Sequence, residues 1–277
     1  MQEYLLEFEQ VYYTYPGAQE SALNGLTLRI PSSKKCALIG QNGCGKTTLF
    51  LLANGLYKPN SGVVRWRGEP LSYNRNYLGK LRQKVGLVFQ DPEQQLVAST
   101  VEEDISYGLC NLGLPDSEIK DRVEQALVEF ELTALAERPV HHLSLGQKKR
   151  VSIADVMVLK PELLILDEPT AYLDIRHTRN LITTLKKIHQ TGTTLLMATH
   201  DLDLVYRWAD WVFVMDKGRL ILEGKPEDVF SQHTLLSELE LGVPLIHKML
   251  VDGLSTEEEV VKERVRQKIL ELFRNFP

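Results

Sequence analysis

Gly40-Gln41-Asn42-Gly43-Cys44-Gly45-Lys46-Thr47 fills every fixed position of the phosphate-loop pattern G-x-x-x-x-G-K-[ST]. Glycines at these positions let successive backbone N–H groups turn inward around an anion with no Cβ in the way. Lys46 is then placed to reach the β- and γ-phosphates of a nucleotide, and the Thr47 hydroxyl to hold a Mg²⁺. The flanks agree. Cys36-Ala37-Leu38-Ile39 is a short apolar run expected to form a buried strand, and Thr48-Leu49-Phe50-Leu51-Leu52-Ala53 opens a helix. A chance glycine turn would not match four fixed positions in a strand–loop–helix context, so nucleotide binding is the expectation.

With 277 residues, the chain is long enough for one large α/β domain with an appendage, or for two small domains. A hydrophobic share of 43% and a charged share of 25% exclude a disordered or fibrous chain. The net charge of −5 gives no basic footprint, so no nucleic-acid partner is expected. The basic run Lys148-Lys149-Arg150 reads as the exposed start of a helix. Cys36, Cys44 and Cys110 show neither paired nor metal-ligand spacing, and the first two read as reduced thiols. Met1-Gln2-Glu3-Tyr4 carries no leader pattern, and no apolar run reaches the length of a membrane span. The expectation is a soluble protein that meets a membrane only through a partner.

Residues 4 to 30 alternate in the manner of strands, broken by a turn at Pro16-Gly17. Pro59-Asn60-Ser61-Gly62 is a turn before the strand-like Val63-Val64-Arg65-Trp66, and Val85-Gly86-Leu87-Val88-Phe89 leads into Gln90-Asp91-Pro92. Over 115 to 135, Ile119, Val123, Leu127 and Phe130 recur at helical spacing, with Asp116 or Ser117 as the expected N-cap. Leu163-Leu164-Ile165-Leu166 and Thr194-Leu195-Leu196-Met197-Ala198 suit buried strands of a parallel sheet, separated by a helix over 176 to 190. Strands alternating with helices predict an α/β fold, interrupted by a helical subdomain at about 91–160. Past Gly224 the strand signals stop. Residues 255 to 276 read as an amphipathic helix, with Ser255 and Glu258 as a capping box and Val261, Val265, Ile269 and Leu272 on one face. That face suits either packing on its own core or dimerisation.

The discriminating chemistry lies downstream of the phosphate loop. The apolar run Leu163–Leu166 ends in Asp167-Glu168. At the carboxyl end of a buried strand, Asp167 can support the Mg²⁺ beside Thr47, and Glu168 can point at a water aligned with the γ-phosphate. Upstream stands Leu143-Ser144-Leu145-Gly146-Gln147. Here the chain resembles the ATP-binding-cassette (ABC) ATPases, whose signature reads L-S-G-G-Q. The other marks of that family occur in order across residues 1 to 224.

The resemblance implies a P-loop ABC ATPase fold: a mixed sheet core with a helical signature subdomain over residues 1–224, and a small, mainly helical extension over 225–277. It implies ATP and Mg²⁺ as ligands. Tyr15 resembles the aromatic that stacks on adenine; Gly40, Gln41, Asn42, Gly43, Cys44, Gly45, Lys46, Thr47 and Thr48 form the phosphate site; Gln90 resembles the loop glutamine that links Mg²⁺ and water to the transport partner. Asp174, after Tyr172-Leu173, resembles the loop residue that crosses a dimer interface, and His200 the switch histidine at the γ-phosphate. Ser144, Gly146 and Gln147 would then cover the nucleotide of a second copy. Glu168 is the implied general base, with His200 and Lys46 stabilising developing charge, and Thr47, Gln90 and Asp167 as the metal residues. Leu145 stands where the family has its first signature glycine, which bears on closure of the dimer more than on ATP binding.

The stretch from Val88 to Ile105, with Asp91-Pro92-Glu93-Gln94-Gln95 at its centre, is similar to the energy-coupling-factor (ECF) transporter ATPases, including the CbiO type of cobalt and nickel importers. So are Lys148-Lys149-Arg150-Val151-Ser152 and Gly224-Lys225-Pro226-Glu227-Asp228. This implies an ATPase on the cytoplasmic face of the membrane, partnered by a second ATPase copy, a transmembrane coupling subunit and a substrate-binding membrane subunit. A homodimer is expected because every catalytic position is filled, with a heterodimer as the alternative. A vitamin importer and a non-transport ABC ATPase are the other readings. A DNA-repair ATPase would need a long coiled-coil insertion, and none separates the phosphate loop from the signature.

Overall fold

The computed structural model describes residues 3–252. They divide into two compact units, one from the described residues up to Leu49, Pro59–Gly68 and the described residues from Ala198 onward, the other from Phe50–Lys58 and Glu69–Met197. The amphipathic segment expected at 255–276 lies outside the described residues.

In the first unit, the strand Tyr4–Tyr13 pairs antiparallel with Leu23–Pro31 on one side and Ser61–Trp66 on the other. Leu6, Phe8, Val11 and Tyr13 are buried, and the register slips between Phe8 and Val11, where Gln10 adopts a left-handed φ of 48°. The strand Lys35–Ile39, which delivers the phosphate loop, runs parallel to Trp211–Asp216 with Cys36 opposite Trp211 and Ile39 opposite Val214. Trp211–Asp216 then returns as Arg219–Gly224 through Lys217 and Gly218, whose φ values of 44° and 75° are the two positive angles that a tight two-residue hairpin requires.

Beyond Gly224 the described chain is helical: Pro226–Phe230, His233–Glu238 and Leu245–Asp252. This segment is tied to the strands by burial. Val229, Phe230 and Leu236 pack in one cluster with Ala37, Ile39, Val205, Val212 and Val214. Each such fully buried valine, leucine or phenylalanine contributes roughly 1.5–3 kcal/mol.

In the second unit, Val85–Val88 pairs parallel with Leu163–Asp167, and Thr194–Ala198 lies beside the latter on its other edge. Leu163, Leu164, Ile165 and Leu166 are fully buried, which is why the strand reads as a continuous apolar run. The helices Val101–Cys110, Asp116–Glu129, Leu145–Met157 and Ile175–Gln190 belong to this unit; Leu145–Met157 packs on Val85–Val88, and Val101–Cys110 and Asp116–Glu129 pack on Leu145–Met157. Leu181, Leu185 and Ile188 form the buried stripe of Ile175–Gln190. The N-cap expected at Asp116 or Ser117 falls instead on Pro115. The Pro115 carbonyl already accepts from Glu118 N and Ile119 N, so the helix starts one residue earlier and Asp116 adds its charge to the first turn.

Candidate functional site

Within the first unit, the phosphate loop hangs between a buried strand and the helix Lys46–Ala53. At Gly45, where φ is 105°, a Cβ would lie 2.5 Å from the Ala22 carbonyl oxygen, so the loop closes there only with glycine. Lys46 is buried, and its ammonium curls back over the loop, donating to the carbonyls of Gly40 at 2.8 Å and Gln41 at 3.0 Å. Asn42, Gly43 and Thr47 face solvent. Burial holds the Cys44 thiol above its ordinary pKa, against the lowering effect of Lys46, so it stays protonated. Tyr15 is half-buried, stands edge-on to Tyr13, and shares a 3.0 Å hydrogen bond with the buried Thr48 hydroxyl, which fixes the aromatic ring beside the first turn of the helix. Gln41 reaches the other way: its side-chain amide donates to Leu239 O and to the Glu240 carboxylate.

His200, exposed, sits between the strand end at Ala198 and the helix Leu202–Trp208. Asp201 caps that helix by accepting from Leu204 N at 2.9 Å, and its own N–H donates to the Thr199 hydroxyl. The histidine is thereby held on a short, pinned corner.

Within the second unit, Asp167 closes the strand Leu163–Asp167 and is only 6% exposed. The next residue, Glu168, turns into the left-handed region with φ 46°, and Tyr172 does so again with φ 61°. Non-glycine residues hold such angles when surrounding contacts over-determine them. Three contacts on this segment come from Lys149, whose buried ammonium donates to the carbonyls of Glu168 at 3.3 Å, Pro169 at 2.9 Å and Ala171 at 2.9 Å. Lys148 is buried too and pairs with Glu93. This corrects the reading of Lys148-Lys149-Arg150 as an exposed helix start: two of the three cations lie on the inward side of the helix Leu145–Met157.

The signature residues build the start of that helix. Ser144 is its N-cap, accepting from Gln147 N, while the Gln147 side chain accepts from Ser144 N at 2.9 Å, a reciprocal capping box. Gly146 has His177 against it: a Cβ there would approach the imidazole Cδ2 to 2.8 Å. His177 donates its backbone N–H to Asp174, the N-cap of the helix Ile175–Gln190, and its ring nitrogen Nδ1 lies 2.8 Å from the same carboxylate. These hydrogen bonds, the backbone one foremost, hold the Asp174 carboxyl below the ordinary carboxylate range. Gly146, Lys149, Leu173 and His177 share a cavity of about 320 Å³. The structure therefore brings Gly146 and Asp174 together through one histidine that the sequence did not single out.

Gln90 is exposed on the turn after Val85–Val88. Its neighbours are anchored by Gln95, which accepts from Phe89 N and donates to Ser152 O at 2.7 Å and to Asp155 at 3.0 Å. Burial pushes the Asp155 carboxyl up to about 7, with the Asp104 carboxylate adding to the shift and the Gln95 hydrogen bond opposing it. Asp104 accepts from Val97 N and Ala98 N, both at 2.8 Å.

Among the described residues, no group of three or more His, Cys, Asp or Glu side chains could hold a metal ion. Mg²⁺ bound together with phosphates takes only one or two protein oxygens and fills its octahedron with phosphate and water. Thr47 in the first unit, and Gln90 and Asp167 in the second, each carry an oxygen of the hard kind that Mg²⁺ takes; Thr47 and Gln90 are exposed and Asp167 is buried. No helix among the described residues is long and apolar enough to cross a membrane.

Residues 23–171 match the family model described as ABC transporter. A protein of Nostoc sp. named for ABC transporter ATP binding is 69% identical over 99% of this chain and 100% of its own length. An energy-coupling factor transporter ATP-binding protein of Clostridium perfringens is 40% identical over 95% of this chain and 90% of its own. Among solved structures, CbiO1 of Clostridium perfringens, described as part of the ABC transporter complex CbiONQ, aligns with a TM-score of 0.76 at 41% identity, covering 90% of this chain and 100% of that one.

Proposed function

Because the chain belongs to the ABC transporter ATP-binding proteins, we propose that it is the ATP-hydrolysing subunit of an energy-coupling-factor importer whose cargo is cobalt or nickel ions. Uptake of a vitamin is the second reading, and the likeness to CbiO1 favours the first.

The reaction follows from the residues in their assigned roles. Lys46 and the backbone of residues 40–47 bind the nucleotide's phosphates, and Tyr15 stacks on its base. Lys46, whose donors now close on Gly40 and Gln41, exchanges those carbonyls for phosphate oxygens. Thr47, Gln90 and Asp167 are the residues that would hold Mg²⁺, which would supply neutralisation of phosphate charge. The Glu168 carboxylate takes a proton from the water that attacks the γ-phosphorus. The bond to the bridging oxygen breaks, and ADP and phosphate result. His200 and Lys46 stabilise the charge on the transferring group.

The observation that carries the dimeric form of this reading is exposure. Ser144, Leu145 and Asp174 face solvent, and Tyr172 and Ile175 are 85% and 76% exposed. Large apolar side chains left bare beside a capped signature suit a surface awaiting a partner. We assign that partner as a second ATPase copy, with Ser144, Gly146 and Gln147 of each covering the other's nucleotide. Membrane coupling and substrate-binding subunits then place the protein on the cytoplasmic face of the membrane.

Glu168→Gln is the test of the base: hydrolysis should fall by at least about 100-fold while ATP binding persists and an ATP-bound dimer accumulates. Retained turnover would refute the assignment. For the cargo, the chain and its copurifying membrane subunits are reconstituted in vesicles and offered Co²⁺, Ni²⁺ or a vitamin; ATP-driven uptake of a vitamin alone overturns the metal reading.

A further inference from the structure

We propose that Lys149 is a positioning residue for hydrolysis, fastening the backbone that presents Glu168 to the helix that begins at the signature. The proposal rests on Glu168 being the general base.

The geometry is a matched set. An ammonium has three N–H donors and no acceptor, and Lys149 directs its nitrogen at three backbone carbonyls of one short segment, Glu168, Pro169 and Ala171. The nitrogen is buried, so water cannot replace a lost donor cheaply. The segment it holds is a tight one. Ala171 N donates to Glu168 O and Leu173 N to Thr170 O, so two turns follow in succession, bracketed by the left-handed Glu168 and Tyr172. Neither left-handed residue is a glycine, and the carbonyl of Glu168 accepts from both Ala171 N and Lys149.

The other end of the link matters equally. Lys149 lies one turn into the helix Leu145–Met157, which Ser144 and Gln147 cap. A displacement of the signature end of that helix therefore moves the three-carbonyl anchor, and with it the backbone dihedrals that aim the Glu168 carboxylate. Such an arrangement transmits seating of the signature to the base within the same copy. A misplacement of about 1 Å in a reacting group costs on the order of 100-fold in rate, so one lysine suffices for the effect.

The test is steady-state ATP hydrolysis by the full chain with Lys149→Met, which keeps the apolar stem and removes every donor, and with Lys149→Gln, which keeps two N–H donors on a shorter arm. Binding of a fluorescent ATP analogue and the melting temperature are measured on the same preparations. Lys149→Met should lower kcat about 100-fold with KM and analogue affinity within two-fold of the parent. Lys149→Gln should fall between the two. Lys149→Met of parental melting temperature with kcat within three-fold of the parent overturns the proposal, as does an equal loss in kcat and in nucleotide affinity. If Lys149→Met does not fold, Lys149→Gln decides by the same limits. Glu168→Gln is assayed alongside. Its retained turnover removes the premise, whereas abolished turnover beside an active Lys149→Met removes only the role of the lysine.

Discussion

The side-chain amide of Gln41, the second residue of the phosphate loop, donates to the Glu240 carboxylate at 2.9 Å, and also to Leu239 O at 3.0 Å. Glu240 has a left-handed φ of 53°. The helical segment after Gly224 thus places a negative charge against the loop that takes up a polyanion. Both side chains are exposed, so the repulsion is screened and modest. Glu240→Gln should tighten ATP and ADP binding about two- to five-fold at low salt, and the gain should shrink as ionic strength rises. A fluorescent-nucleotide titration at two salt concentrations measures it; equal affinities for parent and variant would sink the idea.

Leu145, at the first position of the signature helix, is 37% exposed. Its side chain is therefore more covered than bare, but the helix start itself is held by the Ser144–Gln147 capping box. Leu145→Gly should therefore leave the nucleotide affinity of the monomer within two-fold of the parent. Glycine's extra freedom in the unfolded chain costs about 0.5–1 kcal/mol, a fall of roughly 1–4 °C in melting temperature, and the lost burial of the leucine adds to that fall. A large change in affinity contradicts the proposal that Leu145 serves the nucleotide of a second copy.

Much of this was legible in the sequence, for identifiable reasons. The strands Lys35–Ile39, Leu163–Asp167 and Thr194–Ala198 are buried along nearly their whole length, so they read as uninterrupted apolar runs. The phosphate loop is legible because Gly45 sits where only glycine fits. Lys149 escaped because its partners are backbone carbonyls, which no side-chain pattern marks, and because a basic triplet ordinarily faces water. The left-handed turns at Glu168 and Tyr172 carry no glycine to announce them. Gln95 and Asp155 meet across 60 residues of chain, a tertiary contact without a local signal.

Asp155 makes stability depend on pH in an unusual direction. Its carboxyl is raised by burial from 3.8 to about 7, so between those values the folded state keeps a proton that the unfolded chain has released. Stability from this group is full below about 4 and is lost as pH rises toward 7, after which it stays level. Asp155→Asn removes the charge while its carbonyl oxygen still accepts from Gln95 Nε2. The variant should be more stable than the parent by about 1–3 kcal/mol at pH 8, and the difference should vanish near pH 4. Urea unfolding at pH 4, 6 and 8 is the measurement. A parent-like variant at pH 8 would place the Asp155 charge in water after all.

Lys149 supplies the opposite trend in activity. Burial lowers its ammonium from 10.5 to about 8, while Glu168 and Asp91 pull the other way. Between 8 and 10.5 the unfolded chain binds the proton that the folded state has given up, so this group makes the fold more stable as pH rises through that window. Hydrolysis should respond in reverse. A neutral amine retains two N–H donors for three carbonyls, so the Glu168–Ala171 segment loses one anchor as the lysine deprotonates. The profile of kcat should then bend downward on its alkaline side near pH 8, without a fall in melting temperature over the same range, and Lys149→Gln, which has nothing to titrate there, should lack the bend. A parent whose kcat stays flat to pH 10, or a Lys149→Gln profile with the same limb, would show that the alkaline response belongs to another group.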